Sequence, residues 1–121
     1  MTHAIEGPLA RDIVNRLRLH WPAAEASAKV ADGDADVPTF VRVRVATAVF
    51  LDAAPGEYQW SVRPMTDASG SIQPAEGSRA YGIGAHTEDG AEAIADRFYE
   101  EVRFWWAKLH PGTEFLGTGL R

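Results

Sequence analysis

The sequence predicts an α+β domain, in which an antiparallel sheet of three to five strands carries an N-terminal and a long C-terminal helix on one face. Three stretches support this fold class. Residues 9–21 and 91–109 place large apolar side chains at helical spacing, whereas residues 39–52 alternate apolar and polar side chains as a strand does. The predicted order is helix, optional strand, three strands, helix and optional strand.

Composition bounds the class of protein. The chain has 121 residues, 45% hydrophobic and 24% charged, which predicts one soluble domain over residues 1–121. It contains no cysteine, so disulfides, thiol nucleophiles and thiolate metal sites are excluded. A net charge of −5 argues against a duplex nucleic-acid binder. No apolar window reaches the length of a membrane span, and the first residues lack signal-peptide features, so we expect no membrane association and an intracellular or particle setting.

The first helix begins near Pro8, which suits a first helical turn, and ends at about His20 because Pro22 follows. Its apolar stripe consists of Leu9, Ile13, Leu17 and Trp21. Residues 23–31 leave two interpretations open, a further helix or a short edge strand over residues 26–30.

Residues 39–52 form the clearest strand. Val41, Val43, Val45, Val49 and Leu51 share one face, and Phe40, Arg42, Arg44 and Phe50 share the other. Fourteen residues exceed a usual strand, so we expect a bulge or bend at residues 46–48. A hairpin loop over residues 52–57 and a returning strand over residues 58–63 follow.

Residues 64–78 are rich in Gly, Ser, Pro and acidic side chains, which predicts a mobile loop or arm. Both a functional arm and a solvated insertion remain open. A strand over residues 79–86 comes next. Thr87 is expected to cap a helix that runs to about His110, and residues 113–117 can add a closing strand.

Three patterns resemble chemical sites, and each has a simpler interpretation. Gly82-Ile83-Gly84 lacks the third glycine of a dinucleotide-binding turn, and small residues that let the sheet approach a helix explain it better. The aspartates at 32, 34 and 36 lack the later Gly and Glu of a calcium loop. His86 with Glu88 and Asp89 is the only local acid–base cluster, but carboxylates at a helix start already have a capping role. We therefore expect no catalytic residue, cofactor or metal.

Two features indicate interaction surfaces instead. Spacing by four places an acidic ridge along the last helix, consisting of Glu88, Glu92, Asp96 and Glu100. This ridge is either a solvated face or a field that the function uses. Phe98, Trp105 and Leu109 are expected on the core face of the same helix. Phe104 falls on its polar side with Trp106 near it, which suits a protein contact. The predicted interface comprises Phe104, Trp106, Arg42, Arg44 and Ile72.

The layout resembles the tail-terminator or tail-completion proteins of long-tailed bacteriophages. The pieces that carry the resemblance are Ile13-Val14-Asn15-Arg16-Leu17 with Trp21-Pro22, Phe40-Val41-Arg42-Val43, Tyr81-Gly82-Ile83-Gly84-Ala85-His86-Thr87, and Ala91-Glu92-Ala93-Ile94-Ala95. A Gly-Gly pair typical of that family after the first strand is replaced here by Ala46-Thr47-Ala48.

The resemblance implies a non-enzymatic homo-oligomer, a ring that is usually a hexamer, in the virion or the host cytoplasm. Such a ring joins the tail tube to the head–tail connector, with DNA at most passing through its lumen. The acidic ridge would then face that lumen, and residues 64–78 would reach a neighbouring subunit. Residues 84–91 are also similar to HicB-type antitoxins, and a small acidic anti-defence inhibitor is a further alternative.

Overall fold

The computed structural model describes residues 5, 7–21, 27–30 and 38–112. Two helices and an antiparallel sheet make up the described chain, which confirms the predicted α+β class. The elements are α1 Gly7–His20, β1 Ser27–Val30, β2 Pro38–Ala46, β3 Val49–Pro55, β4 Trp60–Ala68, β5 Ser71–Pro74, β6 Tyr81–Gly82, a 3-10 turn Thr87–Asp89, and α2 Ala91–Leu109. The strands lie in the order β1-β2-β3-β4-β5, and β6 pairs with β4 as well.

The core lies between the two helices and one face of the sheet. The alternate residues of β2 that point inward, Val41, Val43 and Val45, are buried together with the apolar stripes of both helices. Of the predicted stripe, Ile13, Leu17 and Trp21 are buried, and Leu9 is partly buried. The α2 helix buries Ala95, Phe98 and Val102. Leu109 differs from expectation, since it is 36% exposed and lines a cleft beside Val49 and Pro64.

Residues 39–52 form a hairpin instead of the predicted single bent strand. The chain turns at Thr47 and Ala48, and the register then pairs Val43 with Leu51 and Val41 with Ala53. A bulge or bend was expected at residues 46–48; the structure has the turn there and a register shift between Arg44 and Ala46. Val41, Val43, Leu51 and Ala53 are all odd-numbered, so a hairpin and a straight strand bury the same alternating residues. Apolar periodicity therefore did not distinguish the two structures.

The loop predicted over residues 52–57 is consequently wrong. Asp52 belongs to β3, and the turn lies at residues 56–59, where the Gly56 N–H donates to the Gln59 carbonyl oxygen at 2.9 Å. Residues 64–78 are likewise not a simple loop, because they complete β4 and form β5. Ser69 and Gly70 both have positive φ, as a two-residue hairpin turn requires, so the Ser-Gly pair was the missed signal. All four residues of β5 are exposed.

The predicted strand over residues 79–86 is reduced to β6, although its pairing with β4 continues through backbone hydrogen bonds. The Ile83 N–H donates to the Trp60 carbonyl, and the Trp60 N–H donates to the Ala85 carbonyl. Thr87 does not cap α2: it begins the 3-10 turn, and Gly90 with φ of 92° precedes the helix. That backbone geometry favours glycine, which separates the turn from α2.

The segment of residues 23–31 is described only from Ser27, where β1 forms an edge strand on β2. Its remaining residues, the aspartates at 32, 34 and 36, and the closing strand at residues 113–117 lie outside the described residues. Among the described helices, none combines the length and apolarity needed to cross a bilayer.

Candidate functional site

The sheet face opposite the helices is covered by no described element, and we call it the open face. Arg42 lies at its centre and donates two hydrogen bonds to Asp52, from Nε at 2.7 Å and from Nη2 at 2.8 Å. The antiparallel register sets this geometry, since Arg42 and Asp52 are directly paired residues of β2 and β3. The two side chains are only 14% and 11% exposed, so the bidentate pair is a fixed part of the surface.

Aromatic rings surround this ion pair. The Arg42 guanidinium carbon lies 5.0 Å from the ring centre of Phe40 and 5.7 Å from that of Phe50. Arg44 stacks over the same Phe50 at 5.3 Å. Phe50 is consequently only 6% exposed although no described helix covers it, because the two guanidinium groups pack over its ring. The predicted interface residues Arg42 and Arg44 therefore share one patch.

The open face continues across β4 and β5. Arg63 pairs with Asp52, and Met65 pairs with Phe50 and with Pro74 of β5. Ile72 pairs with Asp67 on that same face and is 36% exposed. Three of the five predicted interface residues, Arg42, Arg44 and Ile72, thus lie on the open face. Arg63 also lies there, but it was not predicted as an interface residue because the sequence indicated only a returning strand at its position.

The other two predicted interface residues lie on α2 and differ from each other. Phe104 is 61% exposed, as expected for a contact residue. Trp106 is half-buried and stacks on His110 with ring centres 4.3 Å apart. His110 in turn places Nε2 2.9 Å from the carbonyl oxygen of Val45, so this nitrogen carries the proton. His110 therefore joins the end of α2 to β2, and Trp106 packs against its ring.

A hydrogen-bonded chain joins α2 to β6. The indole Nε1 of Trp105 donates to the Tyr81 hydroxyl oxygen at 2.7 Å, and that hydroxyl donates to Glu101 Oε1 at 2.7 Å. Burial, followed by the interaction with Glu101, raises the pKa of Tyr81 to about 12, although the bond from Trp105 opposes the shift. The tyrosine thus stays protonated and holds both partners.

The acidic ridge is not continuous. Glu88 lies in the 3-10 turn ahead of α2, so only Glu92, Asp96 and Glu100 share the helix. Arg16 of α1 contacts two of them, with Nε 3.1 Å from Asp96 Oδ1 and Nη2 3.4 Å from Glu92 Oε1. Its pKa is raised, first by the hydrogen bond to Asp96. Two of the carboxylates on α2 therefore help to hold α1 against α2, a role that their spacing in the sequence did not indicate.

The local acid–base cluster forms a small polar cleft of about 140 Å³ beside the turn at residues 56–59. The His86 N–H donates to Asp89 Oδ2 at 2.9 Å, and its Nδ1 lies 3.2 Å from the same oxygen. These contacts, the backbone bond first, hold the pKa of Asp89 below its ordinary value. Thr87 accepts a hydrogen bond from Trp60 Nε1 at 3.0 Å. Within the described chain, no three His, Asp or Glu side chains are placed to hold a metal.

The glycines predicted to allow close packing lie against a side chain, not a helix. A Cβ on Gly82 would overlap the terminal amide of Gln59, and Gln59 Oε1 accepts a hydrogen bond from the Gly84 N–H at 2.8 Å. The Gly-Ile-Gly pattern is thus explained by Gln59, which bridges the 56–59 turn and the segment after β6.

A second cleft, of about 370 Å³ and mainly apolar, lies between the end of α2 and strands β3 and β4. Trp105 and Leu109 line it from α2, and Val49 and Pro64 line it from the sheet. Sequence spacing assigned Trp105 and Leu109 to the core, so this surface was missed. Comparison of the chain with protein-family models, curated proteins and solved structures gives no match.

Proposed function

We propose that this protein is a non-enzymatic assembly subunit of the tail-terminator kind, which forms a ring at the junction of a phage head and tail. The observation that carries the proposal is the open face. A sheet covered by helices on one side only leaves a surface where arginine and aromatic side chains are already held in position.

The composition of the open face suits contact with a protein. Arginine, aromatic residues and methionine are enriched at protein interfaces, and Arg44, Phe40 and Met65 supply all three classes here. The bidentate contact between Arg42 and Asp52 fixes the centre of the patch before any partner binds. Because little side-chain freedom remains to be lost there, a partner meets a low entropic cost. We assign this face to the tail tube or connector.

The polar residues also support a structural role. In the small polar cleft, Asp89 accepts the His86 N–H and Thr87 accepts the Trp60 indole N–H, so these groups stabilise the turn before α2. On α2, Glu92 and Glu100 remain exposed. In a ring these two carboxylates would line the lumen and repel the phosphates of passing DNA.

Light scattering over a concentration series, followed by negative-stain electron microscopy, tests the proposal. We expect a closed ring with a mass near six subunits. Arg44→Glu combined with Arg63→Glu should preserve ring mass and abolish binding to a purified tail tube protein, whereas Arg11→Glu on α1 should preserve both. A monomer at every concentration, with or without tube protein, would contradict the proposal. A stable dimer that captures one small basic protein would support the antitoxin alternative instead.

A further inference from the structure

Arg63 lies on the open face opposite a carboxylate that another arginine already neutralises. Asp52 stands between two arginines, because the register pairs it with Arg42 of β2 on one side and with Arg63 of β4 on the other. Arg42 takes both carboxylate oxygens, with Nε 2.7 Å from Oδ1 and Nη2 2.8 Å from Oδ2. The negative charge of Asp52 is therefore balanced by Arg42, and the charge of Arg63 is not.

The described residues around Arg63 in the sheet supply no second carboxylate. Residues 65–68 of β4 pair with β5 and residues 61–62 pair with β6, so the register places no residue of either strand opposite Arg63. Asp67 lies on the same face but four residues further along β4, about 13 Å away. Its Oδ1 accepts the Gly70 N–H at 3.0 Å. Within the described chain, the exposed Arg63 side chain therefore forms no ion pair or hydrogen bond.

This guanidinium restricts what can cover the open face. In the free domain Arg63 is exposed, so water solvates its charge. A partner that covers the face removes that water, and a buried guanidinium without a carboxylate is costly. A partner that brings a carboxylate gains a charge-assisted hydrogen bond, whereas a partner that lacks one leaves the cation unpaired and is disfavoured.

We propose that Arg63 selects the partner of the open face by pairing with an aspartate or glutamate side chain that this partner presents. The inference rests on the proposed function and specifies the chemistry of the tail tube surface that binds there. Arg42 and Asp52 hold each other beside it, so the incoming carboxylate meets Arg63 and not a rearranged pair. A planar guanidinium binds a carboxylate through two parallel N–H donors, which makes the contact directional as well as attractive.

Binding of variants to a purified tail tube protein tests the pairing. Arg63→Gln should weaken binding about tenfold or more, because the carboxylate of the partner is then buried without its cation. Arg63→Lys keeps the charge and should recover most of the affinity. Arg11→Gln is the matched control, since Arg11 is exposed on α1, on the other side of the sheet, and it should leave the affinity unchanged. High salt should weaken binding of the unmodified protein more than binding of Arg63→Gln.

Carbodiimide cross-linking identifies the carboxylate of the partner directly. The reagent joins a lysine amine to a carboxylate as an amide and takes up the water that is lost, whereas a guanidinium does not react. Arg63→Lys should therefore give an adduct in which mass spectrometry finds an aspartate or glutamate of the tube protein linked at position 63. The native Lys29 and Lys108 set the background, and Arg11→Lys should not exceed it.

The outcomes separate the inference from the proposed function. If the unmodified protein binds the tube protein and Arg63→Gln binds equally tightly, the pairing is wrong and the assignment of the open face stands. Binding by Arg63→Lys without an adduct above background would overturn the pairing as well. If the unmodified protein does not bind the tube protein, the proposed function fails and the inference fails with it. Urea unfolding of Arg63→Gln should match that of the unmodified protein, which separates a loss of binding from a loss of folding.

Discussion

Arg42 and Asp52 face each other across β2 and β3 and form a bidentate ion pair on a sheet face that no described helix covers. Each side chain is less than 15% exposed, because Phe40 and Phe50 pack against the guanidinium. The pair therefore contributes both to the stability of the fold and to the shape of the open face. A substitution that breaks the pair also alters the proposed contact surface.

Asp52→Asn should lower the free energy of unfolding by about 2 kcal/mol, because it leaves the Arg42 charge largely buried without its carboxylate. Urea unfolding measures the change. Arg42→Met combined with Asp52→Leu is the control, since it removes both charges and should cost less than the single change. A single variant as stable as the unmodified protein would mean that solvent already screens the pair.

Gly82→Ala should cost about 1 kcal/mol, because a methyl group there displaces the Gln59 amide and breaks its bond to the Gly84 N–H. Gln59→Ala should cost a similar amount. The double variant should be no less stable than either single variant, since both changes remove the same hydrogen bond. If thermal unfolding of the double variant showed a loss of stability equal to the sum of the two single losses, the two residues would act independently.

Arg16→Gln should lower the free energy of unfolding, because the cation joins α1 to Asp96 and Glu92 and offsets their mutual repulsion on α2. High salt should reduce the difference. Arg11 is exposed on the same helix, so Arg11→Gln is the matched control and should stay within about 0.5 kcal/mol of the unmodified protein. If Arg16→Gln and Arg11→Gln changed the free energy of unfolding in denaturant by the same amount, Arg16 would have no specific role in joining the helices.

Tyr81 should make the domain less stable at high pH. Its folded-state pKa of about 12 lies above the ordinary value of 10.0, so its contribution is complete below pH 10 and declines as the pH rises toward 12. Tyrosinate absorbance should include a titration near pH 12 that Tyr81→Phe removes. Tyr99 also has a raised pKa through burial, so Tyr99→Phe serves as the comparison. A high-pH stability loss that Tyr81→Phe leaves unchanged would contradict this assignment.

Much of the fold followed from the sequence because it depends on local periodicity. Apolar spacing located α1 to within two residues at each end, and alternation identified the buried valines of β2. The same alternation did not reveal the turn at Thr47 and Ala48. Neither residue is a typical turn former, and the odd-numbered residues are buried on both sides of the turn. Composition also concealed β5, although Ser69-Gly70 marked its turn.

The candidate surfaces, like the fold, could be predicted only in part from the sequence. The sequence by itself determined which residue types lie on each side of a strand or helix, and so it indicated Arg42, Arg44 and Phe104. Only the tertiary structure decided that Arg42 pairs with Asp52, that Arg16 interrupts the acidic ridge, and that Trp105 lines a cleft. Those outcomes depend on contacts between residues distant in the chain, and one-dimensional spacing carries no information about which distant side chains meet.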